Sequence, residues 1–166
     1  MKNHISSTRE VYSLVAASLI YSSSVFAAPE QETFSVKLHL MKPITITQTT
    51  ELSFNSVVAG DSVDLKTTPT DSNAVRIAAG GEPNAAFQGT VVEDSVLLET
   101  GDGIGPHEKI LVDAFSLGGD MNSGGNGYFN EQGEVENLRI GATAHVNAKN
   151  IPGRYVSTAT FRLNYL

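Results

Sequence analysis

The sequence predicts an all-β chain: an antiparallel β-sandwich with Greek-key connections. Apolar and polar residues alternate with period two in one segment after another. Gly, Pro, Asn or Asp punctuates these segments at the spacing of roughly 8–12 residues that marks sandwiches and barrels. Beyond the N-terminal leader, no stretch carries the period of about 3.6 residues expected of an amphipathic helix.

The leader comes first. Lys2 and Arg9 give a basic start, residues 11–21 form an apolar run, and the small-residue exit places Val25 and Ala27 ahead of a cut. That is the pattern of a secretory signal peptide over residues 1–27, cleaved after Ala27 or, alternatively, after Ala28. The run is shorter than the ~20 apolar residues a membrane-spanning helix needs. Residues 28–42 form an N-terminal extension, and residues 43–166 form the sandwich domain.

Within the extension, "FSVKLHL" sets Phe34, Val36, Leu38 and Leu40 on one face and Ser35, Lys37 and His39 on the other. "ITIT" follows Pro43, and "ELSFNSVV" spaces Leu52 and Phe54 two apart. "SVDL", "AVRIA", "AAFQGTVV" and "SVLLET" come next, then the longer "KILVDAF". "ENLRIGATAHVNA" alternates through Leu138, Ile140, Ala142, Ala144 and Val146. The chain closes on "GRYVSTATFRLNYL", with Tyr155, Phe161, Leu163 and Tyr165 on one parity. Seven to nine strands are expected. Their predicted core is Leu52, Phe54, Val75, Ile77, Phe87, Val96, Leu98, Ile110, Val112, Ile140, Ala142, Val146, Tyr155, Phe161 and Leu163.

Composition excludes several functions. The net charge is −7, one unit more negative once Lys2, Arg9 and Glu10 are set aside, and there is no basic stripe to attract nucleic acid. With no cysteine, the exported domain has no disulfide and no thiolate chemistry. Without tryptophan it lacks the usual stacking platform for sugars and bases. His39, His107 and His145 lie far apart, without HxH or HxxxH spacing, and there is no G-x-S-x-G elbow. The expectation is therefore a non-enzyme without a cofactor. Two glycine-rich segments, residues 100–109 and 117–127, read as surface loops. The second holds Asp120-x-Asn122-x-Gly124, the opening of a calcium loop, but lacks the later bidentate Glu.

Both ends carry a resemblance. Tyr165 is the penultimate residue, Gly153 lies fourteen from the end, and the strand between them alternates. This resembles the subunits of chaperone–usher pili. In that family the last strand borders an open groove in an incomplete immunoglobulin-like sandwich; a periplasmic chaperone fills it first, and the N-terminal extension of the next subunit then completes the sandwich as a donor strand. The resemblance implies that Phe34, Val36, Leu38 and Leu40 are the donor residues. It implies that Gly153, Tyr155, Phe161, Leu163 and Tyr165 line the acceptor. The physics is strand addition, with main-chain bonds giving affinity and alternate side chains giving register. The mature chain also resembles the bacterial exported family catalogued as domain of unknown function 4402. The matching landmarks are "PITIT" with Leu52-x-Phe54, the stretch Ile140-Gly141-Ala142-Thr143, and the closing Gly153, Tyr155, Thr158, Phe161, Leu163 and Tyr165. Asn55 and Ser157 stand where that family usually has glycine.

The functional expectation is a structural subunit of an adhesive surface fibre. Its partners would be like subunits, a periplasmic chaperone and an outer-membrane usher. It would pass through the periplasm to the cell surface or be secreted. The alternative is a self-complete secreted domain that pairs residues 32–40 within its own chain and binds a ligand through its glycine-rich loops.

Overall fold

The computed structural model describes residues 30–166; the expected leader and its cleavage site lie outside the described residues. The chain divides into two units, Met1–Leu38 and His39–Leu166. In the first, residues 30–38 have no regular secondary structure. Phe34, Val36 and Leu38 there are 85%, 83% and 91% exposed.

The second unit is all-β and antiparallel, as expected, with no helix among the described residues. Its nine strands are β1 (Thr45–Thr50), β2 (Val63–Thr67), β3 (Val75–Gly80), β4 (Ala86–Val91), β5 (Val96–Glu99), β6 (Lys109–Gly119), β7 (Asn126–Tyr128), β8 (Glu134–Val146) and β9 (Phe161–Tyr165). One sheet runs β1-β3-β8-β6-β5, with β2 also on β8; the other runs β7-β4-β9. The long strand β8 organises the first sheet. Its C-terminal half pairs with β2, from Thr67↔Ala142 to Val63↔Val146. Its N-terminal half pairs with β3, from Val75↔Ile140 to Gly80↔Glu134. Thus β2 and β3 lie in succession along one edge of β8, separated by the turn at Thr68–Ala74, where Asp71 accepts the Thr68 N–H at 2.6 Å.

Alternation places the core. Ile77, Phe87, Met121, Phe129, Leu138, Ile140 and Leu163 are buried in one cluster, between β8 and the smaller sheet. Ile110, Val112, Ala142 and Ala144 form a second cluster at the other end of β8, packed by the half-buried Leu52, Phe54, Leu65, Val96, Leu98, Val146 and Tyr155. All fifteen predicted core residues belong to one cluster or the other.

Three expectations are corrected. Residues 51–58 form no strand, although Leu52 and Phe54 do turn inward. The Ser53 N–H bonds to Asn73 O and the Ser53 carbonyl accepts from Thr67 Oγ1, so the segment follows the turn between β2 and β3, which offers no regular ladder. The closing strand is shorter than its pattern, because residues 153–160 pass from the edge of one sheet to the other. Glu99 of β5 bridges Val156, whereas β4 pairs with Phe161–Tyr165. The glycine-rich segment 117–127 is no plain surface loop: it contributes the end of β6, the start of β7 and the buried Met121.

Glycine geometry explains that last compactness. Gly125 has φ +82°, its carbonyl accepts the Gly89 N–H at 2.8 Å, and a Cβ there would strike the Gly89 carbonyl oxygen. Gly60 also has positive φ, +103°, but nothing lies near its missing Cβ. Gly125→Ala should therefore cost about 2–3 kcal/mol or more, through strain and a displaced strand β4. Gly60→Ala should cost only the backbone part, about 1 kcal/mol. Urea unfolding of the two variants checks the difference.

Candidate functional site: an open strand edge

Strand β9 ends the smaller sheet. Its side chains divide by parity: Leu163 is buried and Phe161 and Tyr165 half-buried, while Arg162 and Asn164 are exposed. Its main-chain partners all lie on one side. Phe161–Tyr165 pair with β4 from Val91↔Phe161 to Phe87↔Tyr165. Leu166 N donates to Ala86 O and Thr160 O accepts from Val92 N, extending the same ladder at both ends. No strand pairs with the opposite edge of β9 among the described residues. An uncovered edge of this kind presents unpaired N–H and C=O groups to another strand.

The opposite border of the domain is also lightly covered. All six residues of β1 are exposed, including Ile46, whose pairing with Ala79 sets it on the inward parity. Where the chain enters β1, two side chains hold it. Tyr165 Oη donates to Lys42 O at 2.7 Å and accepts from Glu82 N at 2.7 Å. Glu82 Oε2 accepts the Lys42 N–H at 3.0 Å. Both main-chain groups of Lys42 are thereby engaged, and the penultimate residue of the chain fixes the root of the extension. The Lys42 N–H holds the Glu82 carboxyl below the usual carboxylate range, and His39, 3.3 Å away, adds to this. At the other end of β9, Glu93 accepts the Thr160 N–H at 2.7 Å and is lowered for the same reason.

Of the expected acceptor residues, Phe161, Leu163 and Tyr165 share β9 and the first core cluster. Tyr155 packs on the second cluster, and its hydroxyl lies 2.8 Å from Ile151 O and 3.0 Å from His107 O. Gly153 abuts Thr100, whose hydroxyl a Cβ would strike. These two stand beside the loop 100–109 rather than on the ladder of β9. The expected donor residues are exposed, Leu40 at 88% and the other three as given above.

The glycine-rich loops hold themselves together. Asn122 Oδ1 accepts from Gly124 N and Asn126 N at 2.9 and 3.0 Å, and Asp120 Oδ2 from Asn137 N at 2.9 Å. The calcium-candidate oxygens are thus hairpin caps. In the other loop, Asp102 accepts from Ile104 N, which lowers its carboxyl, and Glu108 accepts from Gly105 N. No group of acidic residues and histidines poised for a metal occurs among the described residues.

Sequence reasoning missed one cluster. On the outward face of the larger sheet, His145 Nδ1 lies 2.7 Å from Asp64 Oδ1 and its Nε2 lies 2.8 Å from Asp113 Oδ1. The two aspartates stand 81 and 32 residues away in sequence, so only strand register brings them together. Asp113 first, and Asp64 after it, push the imidazole up from its ordinary value.

No family model, no curated protein and no solved structure matches the chain.

Proposed function

We propose that the chain is a non-catalytic structural subunit of a surface fibre, joined to its neighbours by strand donation. The observation that carries the reading is a complementary pair. Four alternating apolar side chains, Phe34, Val36, Leu38 and Leu40, are 83–91% exposed, and β9 has an unpaired edge beside inward apolar residues. A strand carrying such a pattern satisfies an open edge with main-chain bonds and buries its apolar parity against the core. Subunits of this kind need protection before assembly. A periplasmic chaperone that lends a strand, and an outer-membrane usher that exchanges it, are the partners this reading requires. Adhesion is the role of the finished fibre.

The absence of native cysteine makes a direct test available. Lys37→Cys or His39→Cys marks the outward parity of the donor, and Arg162→Cys or Asn164→Cys marks the outward parity of β9. Directly opposed cross-strand neighbours have Cα atoms about 4.5–5.5 Å apart, within the range a disulfide spans. Mixing a donor-marked with an acceptor-marked chain should yield a cross-linked dimer that neither gives alone. Cross-linking only within a doubly marked chain would establish the self-complete domain instead. No cross-link at any pair of positions would reject strand pairing between 34–40 and β9.

A further inference from the structure

The Asp64–His145–Asp113 cluster plays no part in strand donation, and its geometry is specific. The three residues come from adjacent strands β2, β8 and β6, in registers Asp64↔His145 and Leu111↔His145. Each ring nitrogen faces a different carboxylate at hydrogen-bond distance. A neutral imidazole carries one N–H and one lone pair, so it satisfies one carboxylate and turns a lone pair toward the other. Only the imidazolium donates to both.

We propose that Asp64, His145 and Asp113 form a protonation-controlled clamp, which fastens the edge strand β2 to β8 and β6 while both ring nitrogens carry a proton and loosens β2 when one proton leaves. β2 is suited to such control. It has five residues and, among the described residues, pairs only with β8. Its inward Val63 and Leu65 are half-buried, and Leu65 packs on the second core cluster, so loosening β2 uncovers that cluster. His145 is itself partly exposed and exchanges protons with solvent.

The other charged groups around the imidazole are few. On β2 the next outward residue is Lys66, and on β6, beyond Leu111, it is Lys109, which Glu99 of β5 holds at 3.4 Å. The outward neighbour on β8 is Thr143, and Leu97 and Leu111 complete the row across β5 and β6. The two carboxylates in direct contact outweigh the more distant lysines, and the imidazole is accordingly pushed up from its ordinary value. A raised value means that the folded chain holds the proton more tightly than the unfolded chain. The clamp's contribution is therefore fully present below the unfolded imidazole value and is lost as pH rises through the raised one.

The test is an NMR titration of the full exported chain. Imidazole nitrogen shifts give the protonation midpoint of His145, and amide exchange, corrected for its intrinsic rate, gives the protection of Val63–Thr67. His145 should titrate above the same histidine in a peptide spanning residues 141–149. Asp113→Asn should lower that midpoint more than Asp64→Asn, and the double variant should return it to the peptide's value. Protection of β2 should fall as His145 deprotonates, by up to about tenfold for each unit the Asp64 contact adds to the midpoint. In Asp64→Asn that fall should vanish, although Asp113 still holds the ring. A wild-type midpoint at or below the peptide's overturns the clamp. So does β2 protection with the same pH profile in wild type and Asp64→Asn.

Discussion

Deletion of residues 34–40 is expected to leave a folded chain that accepts a neighbour's strand and cannot pass one on. The removed residues have no regular secondary structure of their own, and Phe34, Val36, Leu38 and Leu40 are largely exposed. Among the contacts of the root of the extension, the deletion removes only the His39–Glu82 pair, whose histidine is largely exposed. Such a pair contributes little to stability. The Lys42 contacts with Glu82 and Tyr165 remain, as do β1 and its pairing with β3. The effect on assembly should be near total. Burying four large apolar side chains contributes on the order of 6–12 kcal/mol before ordering costs, and the deletion loses all of it. Added to wild type, the deletion variant should cap growing fibres, and mean length in electron micrographs should fall in proportion to its share. Leu38→Asp should act in the same direction less completely, by carrying an unpaired charge into an apolar pocket. Fibres of undiminished length would end the donor-strand reading.

The sequence made the core legible because alternation is a local signal. Val75 and Ile77, or Ile110 and Val112, announce an inward face without knowledge of what they meet. The same signal overreached at residues 51–58 and 153–160. Alternation reports which side chains turn inward, and Leu52, Phe54 and Tyr155 do turn inward. It does not report whether a neighbouring backbone is straight enough to form a ladder. Phe129 and Met121 went unread for the opposite reason: they sit singly among glycines and polar residues, with no periodicity to mark them, and Gly125 folds them into the core. Register-dependent features were beyond reach altogether. The Asp64–His145–Asp113 cluster and the hold of Tyr165 on Lys42 join residues whose only relation is their place in a sheet. The unpaired edge of β9 was not legible in its own residues, since an edge leaves no mark in the residues that lack a neighbour.

Phe87→Ala should be among the most destabilising single substitutions in the domain, and its consequences should reach the accepting edge. Phe87 is fully buried, its ring centroid lies 5.0 Å from that of Phe129, and Phe129 in turn packs tilted against Tyr165, centroids 5.9 Å apart. Phe87 is also the register partner of Tyr165 and of Gly127, so it sits at the centre of β7-β4-β9. A Cβ on Gly127 would strike the Phe87 ring, which shows how closely the backbone of β7 approaches it. Truncation to alanine therefore leaves a cavity between three strands that cannot close without shifting β7. The expected cost is about 3–5 kcal/mol, a large part of the ~5–15 kcal/mol that holds a domain of this size together. Urea unfolding should show the midpoint fall with the slope unchanged. If β9 is the accepting edge, a peptide spanning residues 32–42 should offset part of the loss by binding only the folded form. At a hundred times its dissociation constant it should restore about 2.7 kcal/mol. The same peptide with Leu38→Asp should restore much less. Equal rescue by both peptides, or by neither, would show that residues 34–40 are not what completes this sandwich.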